Sequence, residues 1–242
     1  MKPHPEIAKL FIGLMTLGGL ISLSYGLLHM HPWHHAQFGT LLVFAMLAAR
    51  LKLKLPGSHG NMSVNVPFML IAIMELNLFE ALIIAAASVI AQCFPQGRGW
   101  PKALQTLFNV STVAVAVGLA GLIFQGRMPL PTAWVSGSLL LFLAAASFFL
   151  VQTIPVATII SLTEGGSAPR IWLSIFHLSF PYYVLSAGVT SIVTTATHRI
   201  GWQIPLLVLP VMYGVYRSYR LYFGLEEAPA RPLALAKAAG AE

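Results

Sequence analysis

Apolar residues divide the chain into long hydrophobic blocks, and one block carries a polar interruption that decides the topology. Val64 to Phe94 is apolar throughout except near its middle, where Glu75-Leu-Asn-Leu-Phe-Glu80 places two carboxylates and an amide. As one straight helix this block would be about 46 Å long, against a hydrocarbon core of about 30 Å. An ionised glutamate at mid-bilayer costs at least about 2.5 kcal/mol. The pattern therefore predicts two short helices, 66–76 and 79–94, with a tight turn at Asn77. They form either two thin spans or a re-entrant hairpin, since both return the chain to the side it left.

The remaining blocks predict helices over Ile7–Leu28, Ala36–Ala49, Ala103–Phe124, Trp134–Leu162, Ile171–Thr197 and Gln203–Phe223, with an interruption of the seventh at Pro181. Residues 50–66 change period. Arg50-Leu-Lys-Leu-Lys54 alternates, Pro56-Gly57 marks a turn, and Met62-Ser-Val-Asn-Val66 alternates again. This reads either as a small β-hairpin or as an irregular interfacial loop. The expectation is an all-α polytopic membrane protein with about eight transmembrane or re-entrant helices. Residues 1–224 would be a single transmembrane domain, and the Ala/Pro-rich residues 225–242 a disordered tail.

Charge then tests the split. With eight helices and an inner N-terminus, twelve of the fourteen basic residues fall on the inner side, the exceptions being Arg127 and Arg199. With a single span over 64–94, only seven do, and the bias vanishes. The positive-inside rule thus favours the split and puts both termini of a multi-pass chain in the cytoplasm. Lys2 and Lys9 before the apolar stretch to Leu28 are read as flanking a retained span, because the stretch is longer than a signal-peptide core.

Composition fits that class. Hydrophobic residues make up 57% of the chain and charged residues 9%, far below the roughly 25% of a soluble domain. The net charge of +7 belongs to the ends of the spans, which argues against nucleic-acid binding. One cysteine, Cys93, excludes a disulfide framework or a multi-cysteine metal site. All seven acidic residues are glutamate, so an Asp-dependent catalytic site is excluded. No P-loop, H-E-x-x-H or G-x-S-x-G pattern occurs either, and the chain is expected not to be an enzyme. No cofactor is specified.

Several polar groups could line a ligand pocket. Glu75 and Glu80 lie at the outer turn, where they either face a polar cavity or cap a turn. Gln105 and Asn109 lead a stripe that continues to Thr112, followed by the small residues Ala114, Gly118 and Gly121, where helices approach closely. His177 and Tyr182 belong to a second stripe with Ser174, Ser186, Thr190 and Thr194, suited either to interhelical hydrogen bonds or to a cavity. His29, His31, His34 and His35 are imidazoles at the outer side, candidate metal ligands or an ordinary interfacial turn. Tyr213, Tyr216, Arg217, Tyr219, Arg220 and Tyr222 form an aromatic and cationic belt that anchors the last helix at the inner interface.

Two blocks carry a family likeness. One is Gly60-Asn-Met-Ser-Val-Asn-Val-Pro-Phe68 with Glu75-Leu-x-x-x-Glu80-Ala-Leu82 and Leu107-Phe-Asn-Val110. The other is Gly201-Trp-Gln203 with Val215-Tyr-Arg-Ser-Tyr-Arg-Leu-Tyr222. Together they resemble the N-terminal multi-spanning domain of bacterial HD-GYP-type phosphohydrolases and related cyclic-dinucleotide signalling proteins. In that family the last span leads into a cytoplasmic catalytic domain, and here none is expected after Tyr222. The resemblance implies an input module, a stand-alone sensory or interaction module working with a separate cytoplasmic signalling protein in the lipid bilayer. The alternative is a carrier for a small molecule or metal, similar in architecture to the substrate-binding subunits of energy-coupling-factor importers. A homo-oligomer is compatible with either.

Overall fold

The apolar block at 64–94 does break at its polar centre. In the structure, a computed structural model describing residues 5–30, 35–54, 61–94, 102–125, 137–200 and 203–226, it forms α3 (Val66–Glu75) and α4 (Leu78–Cys93). Leu76 and Asn77 are extended between them, and Leu76 N–H still donates to Ala72 O at 3.0 Å. Asn77 then caps α4. Its Oδ1 accepts from Glu80 N–H at 2.9 Å, and Glu80 Oε2 accepts from Asn77 N–H at 3.2 Å. This reciprocal pair satisfies two donors that a helix start leaves orphaned.

Around this hairpin lie α1 (Pro5–Leu28), α2 (His35–Arg50), α5 (Ala103–Phe124), α6 (Gly137–Glu164), α7 (Ala168–Ile200) and α8 (Val208–Glu226), with a short 3-10 turn at Ile204–Leu207 before α8. Among the described residues, α1, α5 and α6 contain segments long and apolar enough to cross a membrane. The alternating stretch between α2 and α3 is an antiparallel pair, β1 (Lys52–Lys54) with β2 (Asn61–Ser63), with Lys52 opposite Ser63 and Lys54 opposite Asn61. The expected Pro56-Gly57 turn and the tail after Glu226 lie outside the described residues.

The interruption expected at Pro181 is absent: α7 runs through it, as α6 runs through Pro155. Proline removes one N–H and crowds the preceding turn, which ends an isolated helix. Here packed neighbours hold α7 on either side. Phe176, Phe180 and Tyr183 all set their rings against Phe149 of α6, at centroid distances of 5.6, 5.8 and 4.8 Å.

The two shortest apolar helices are the innermost. Every residue from Val66 to Ile73 is buried, and α3 packs on α2, α4, α5 and α7. Helix directions follow from paired contacts. Gly19 abuts Ser111 and Gly118 abuts Ser22, so α1 and α5 run parallel. Asn109 meets Cys93 and Gly121 meets Leu78, so α4 and α5 are antiparallel. Arg50 at the end of α2 reaches Ala91 near the end of α4. One end of the bundle therefore gathers Arg50, Lys52 and Lys102, while the carboxylates Glu75 and Glu80 lie at the other.

Candidate functional site

The described interior carries its densest hydrogen bonding where α3 begins, at the basic end of the bundle. A helix start leaves several backbone donors without intrahelical partners. Pro67 removes one of them, and Asn65, the capping position, does not cap: its backbone is already helical and its side chain turns away. Asn65 Oδ1 accepts from Ser63 Oγ at 2.7 Å, and Asn65 Nδ2 donates to Ser88 Oγ of α4 at 3.3 Å. Ser88 Oγ itself donates to Ala85 O at 2.9 Å. The strand pair, α3 and α4 are thus tied through one buried amide.

The orphaned Val66 N–H is met from far along the chain. It donates to the hydroxyl of Tyr182 on α7 at 3.3 Å, and Tyr182 is fully buried. One and two turns on, Ser186 and Thr190 donate to the carbonyls of Tyr182 and Ser186 at 2.8 Å each, and Pro67 O lies 3.4 Å from Thr190 Oγ1 as a second acceptor. Thr194 extends the stripe by donating to Thr190 O. Tyr216 and Tyr219 of α8 pack on the same core. The polar seam itself joins β2, α3, α4 and α7. A buried donor left unsatisfied costs about 1–3 kcal/mol. Tyr182→Phe removes the acceptor for Val66 N–H and should destabilise the protein by about 1–2 kcal/mol on that ground. Thermal unfolding in detergent measures this, and a wild-type midpoint would show that the hydroxyl contributes nothing.

The sequence-derived candidates divide among separate places and do not converge on one cavity. Glu80 is fully buried in the α4 cap, and Glu75 is half-buried at the end of α3. Asn109 meets Cys93 at the opposite end of α4, its Nδ2 donating to Sγ at 3.6 Å, and Gln105 is exposed. The 13 residues from Glu80 to Cys93 put about 20 Å between those two places. His177 is exposed, with Nδ1 2.7 Å from Leu173 O one turn back, and it does not reach the seam. Tyr182 is the candidate that joins it. Thr112 is 1% exposed, and its hydroxyl has no hydrogen-bond partner among the described residues.

His29 stacks on Tyr25 at 4.2 Å between centroids, its Nδ1 3.0 Å from Tyr25 O, and His35 begins α2. Among the described residues no group of three His, Cys, Asp or Glu is placed to hold a metal, while His31 and His34 lie outside those residues. Of the belt, Tyr213, Arg217 and Arg220 are exposed and Tyr216 and Tyr219 half-buried, the Tyr222 side chain lying outside the described set. Ser63, Asn65 and Ser88 were not singled out from the sequence. The available signal was Asn65 directly before Val66-Pro67, a helix-start pattern, with Ser88 alone among the apolar residues Ala85–Ala91.

No curated protein and no solved structure matches the chain. A family model does: MASE9 matches residues 30–222, from just after α1 to near the end of α8. That span contains the hairpin, the seam and the belt, and the chain belongs to the MASE9 family of membrane-associated sensor domains.

Proposed function

We propose that this chain is a multi-pass sensory module of a bacterial inner membrane. Both termini are cytoplasmic, it has no catalytic step of its own, and its output leaves through α8 to a separate cytoplasmic signalling protein. The observation that carries this reading is the seam. It ties the central α3–α4 hairpin, whose far end carries the buried Glu80 and the half-buried Glu75, to α7, and Tyr216 and Tyr219 of α8 pack on the same core. On this reading a shift of the hairpin at the outer turn passes at Val66 to Tyr182 on α7, and through the shared core to α8. The likeness of residues 60–110 and 201–222 to HD-GYP-type input domains supports the same direction of signalling. A carrier gains less from this geometry, because the amide and hydroxyls of the seam bond to one another and to backbone.

Two labelling measurements test it in a Cys93→Ser background. An impermeant maleimide applied to intact cells should label Gln125→Cys and should reach Lys102→Cys only after lysis; the opposite pattern would refute the sidedness. Asn65→Ala should then change the alkylation rate of Ser218→Cys on α8 several-fold, while Thr158→Ala on the exposed side of α6 should not. Equal rates with and without Asn65→Ala would uncouple the seam from α8 and remove the signalling route.

A further inference from the structure

Cations lie on α8 and on the elements it packs against. α8 packs on both α2 and β1. Arg50 closes α2 and Lys52 opens β1, and they reach the last carbonyls of α4, Ala91 O at 3.3 Å and Phe94 O at 3.2 Å. Lys52 thereby spends one donor of three. On α8, Val208 and Met212 are buried, and Val215 and Tyr219 pack on the core, which fixes the inward side. At 3.6 residues per turn, Tyr213, Tyr216, Arg217 and Arg220 then share one flank, at i, i+3, i+4 and i+7. Both arginines are exposed. No ion pair joins Arg217 or Arg220 to a carboxylate among the described residues; that of Lys9 with Glu6 at 3.0 Å lies on α1.

We infer that this corner binds the phosphate of an anionic phospholipid, which holds α8 against α2 and the strand pair. Guanidinium groups match phosphate oxygens with two parallel hydrogen bonds. Tyrosines beside them suit headgroup depth, and exposed Val211 and Leu221 on the same helix offer apolar surface to the acyl chains. The inference rests on the proposed inner location of this end, where anionic lipid is concentrated. It makes the output helix responsive to the charge of the membrane.

Native mass spectrometry of the full chain in detergent, supplied with equal amounts of phosphatidylglycerol and phosphatidylcholine, tests it. The wild-type protein should retain phosphatidylglycerol preferentially, and Arg217→Gln/Arg220→Gln should weaken that retention about thirtyfold. Arg217→Lys/Arg220→Lys, which keeps the charge, should recover most of it and show that the helix still folds. Lys9→Gln/Arg170→Gln, removing two cations near the starts of α1 and α7, should leave it unchanged. Equal retention of the two lipids by wild type would overturn the inference, as would equal losses in the two glutamine variants. So would an acidic protein retained in place of lipid and lost on Arg217→Gln/Arg220→Gln. The maleimide labelling of Lys102→Cys reads sidedness independently, so a failed lipid preference and a failed topology are distinguishable.

Discussion

Glu80→Ala should lower the stability of the protein by about 3 kcal/mol, a loss of charge-assisted capping together with the cost of burying an unmet donor. Glu80 is fully buried, and its carboxylate accepts from Asn77 N–H at the point where the chain reverses. Alanine leaves that N–H without this acceptor at the turn that holds α3 and α4 side by side. Glu80→Gln keeps an oxygen at the same reach and should cost about 1 kcal/mol, since glutamine also serves in capping boxes. Thermal unfolding followed by size-exclusion chromatography compares the three proteins. If glutamine proves as harmful as alanine, the charge and not the geometry of the cap is what matters; if alanine is harmless, the cap does not hold the hairpin.

A loss of similar size, about 3 kcal/mol, is expected for Gly19→Leu, at the upper end of overpacking penalties. A Cβ at Gly19 would lie 3.1 Å from Ser111 Cα and 3.2 Å from Ser111 O. Both are backbone positions of α5, so the obstruction is removed only by moving one helix. Nearby Gly118 shows the same intimacy in reverse, its Cβ position 2.6 Å from Ser22 Oγ. Gly13, two turns earlier on α1, has nothing within 4 Å, and Gly13→Leu should be neutral or slightly stabilising because glycine weakens a helix. Cys93 is the chain's one thiol and is half-buried, so a fluorogenic maleimide can follow unfolding in both variants. Matching curves for Gly19→Leu and wild type would show that α1 does not depend on close contact with α5.

Much of this architecture was legible in the sequence because each cue was local. The polar run Glu75–Glu80 inside an apolar block forced a turn, and the structure turns at Leu76 and Asn77. Ala103–Phe124 was bounded by Pro101-Lys102 and by Gly126, and the helix has those limits. The small residues Gly118 and Gly121 marked the sites where Ser22 and Leu78 come closest. The seam was less legible because its partners are remote: Asn65 finds Ser88 across a whole hairpin, and Val66 finds Tyr182 across almost half of the chain. Helical period put Gln105, Asn109 and Thr112 on one stripe, but not what each would meet. Pro181 misled for a related reason, since a rule about isolated helices cannot see the aromatic neighbours that hold α7 together.

The remote partnership at the start of α3 has a consequence for biosynthesis. Val66 and Tyr182 are 116 residues apart, and Pro67 and Thr190 are 123 apart. At about 5–20 residues per second, the ribosome needs roughly 6–25 s to deliver α7 after α3 has emerged. During that interval the nascent hairpin already has its own cap at Asn77 but lacks the hydroxyl that answers Val66 N–H. Its two ends are completed at different times, the turn at once and the entry only when most of the protein has been made.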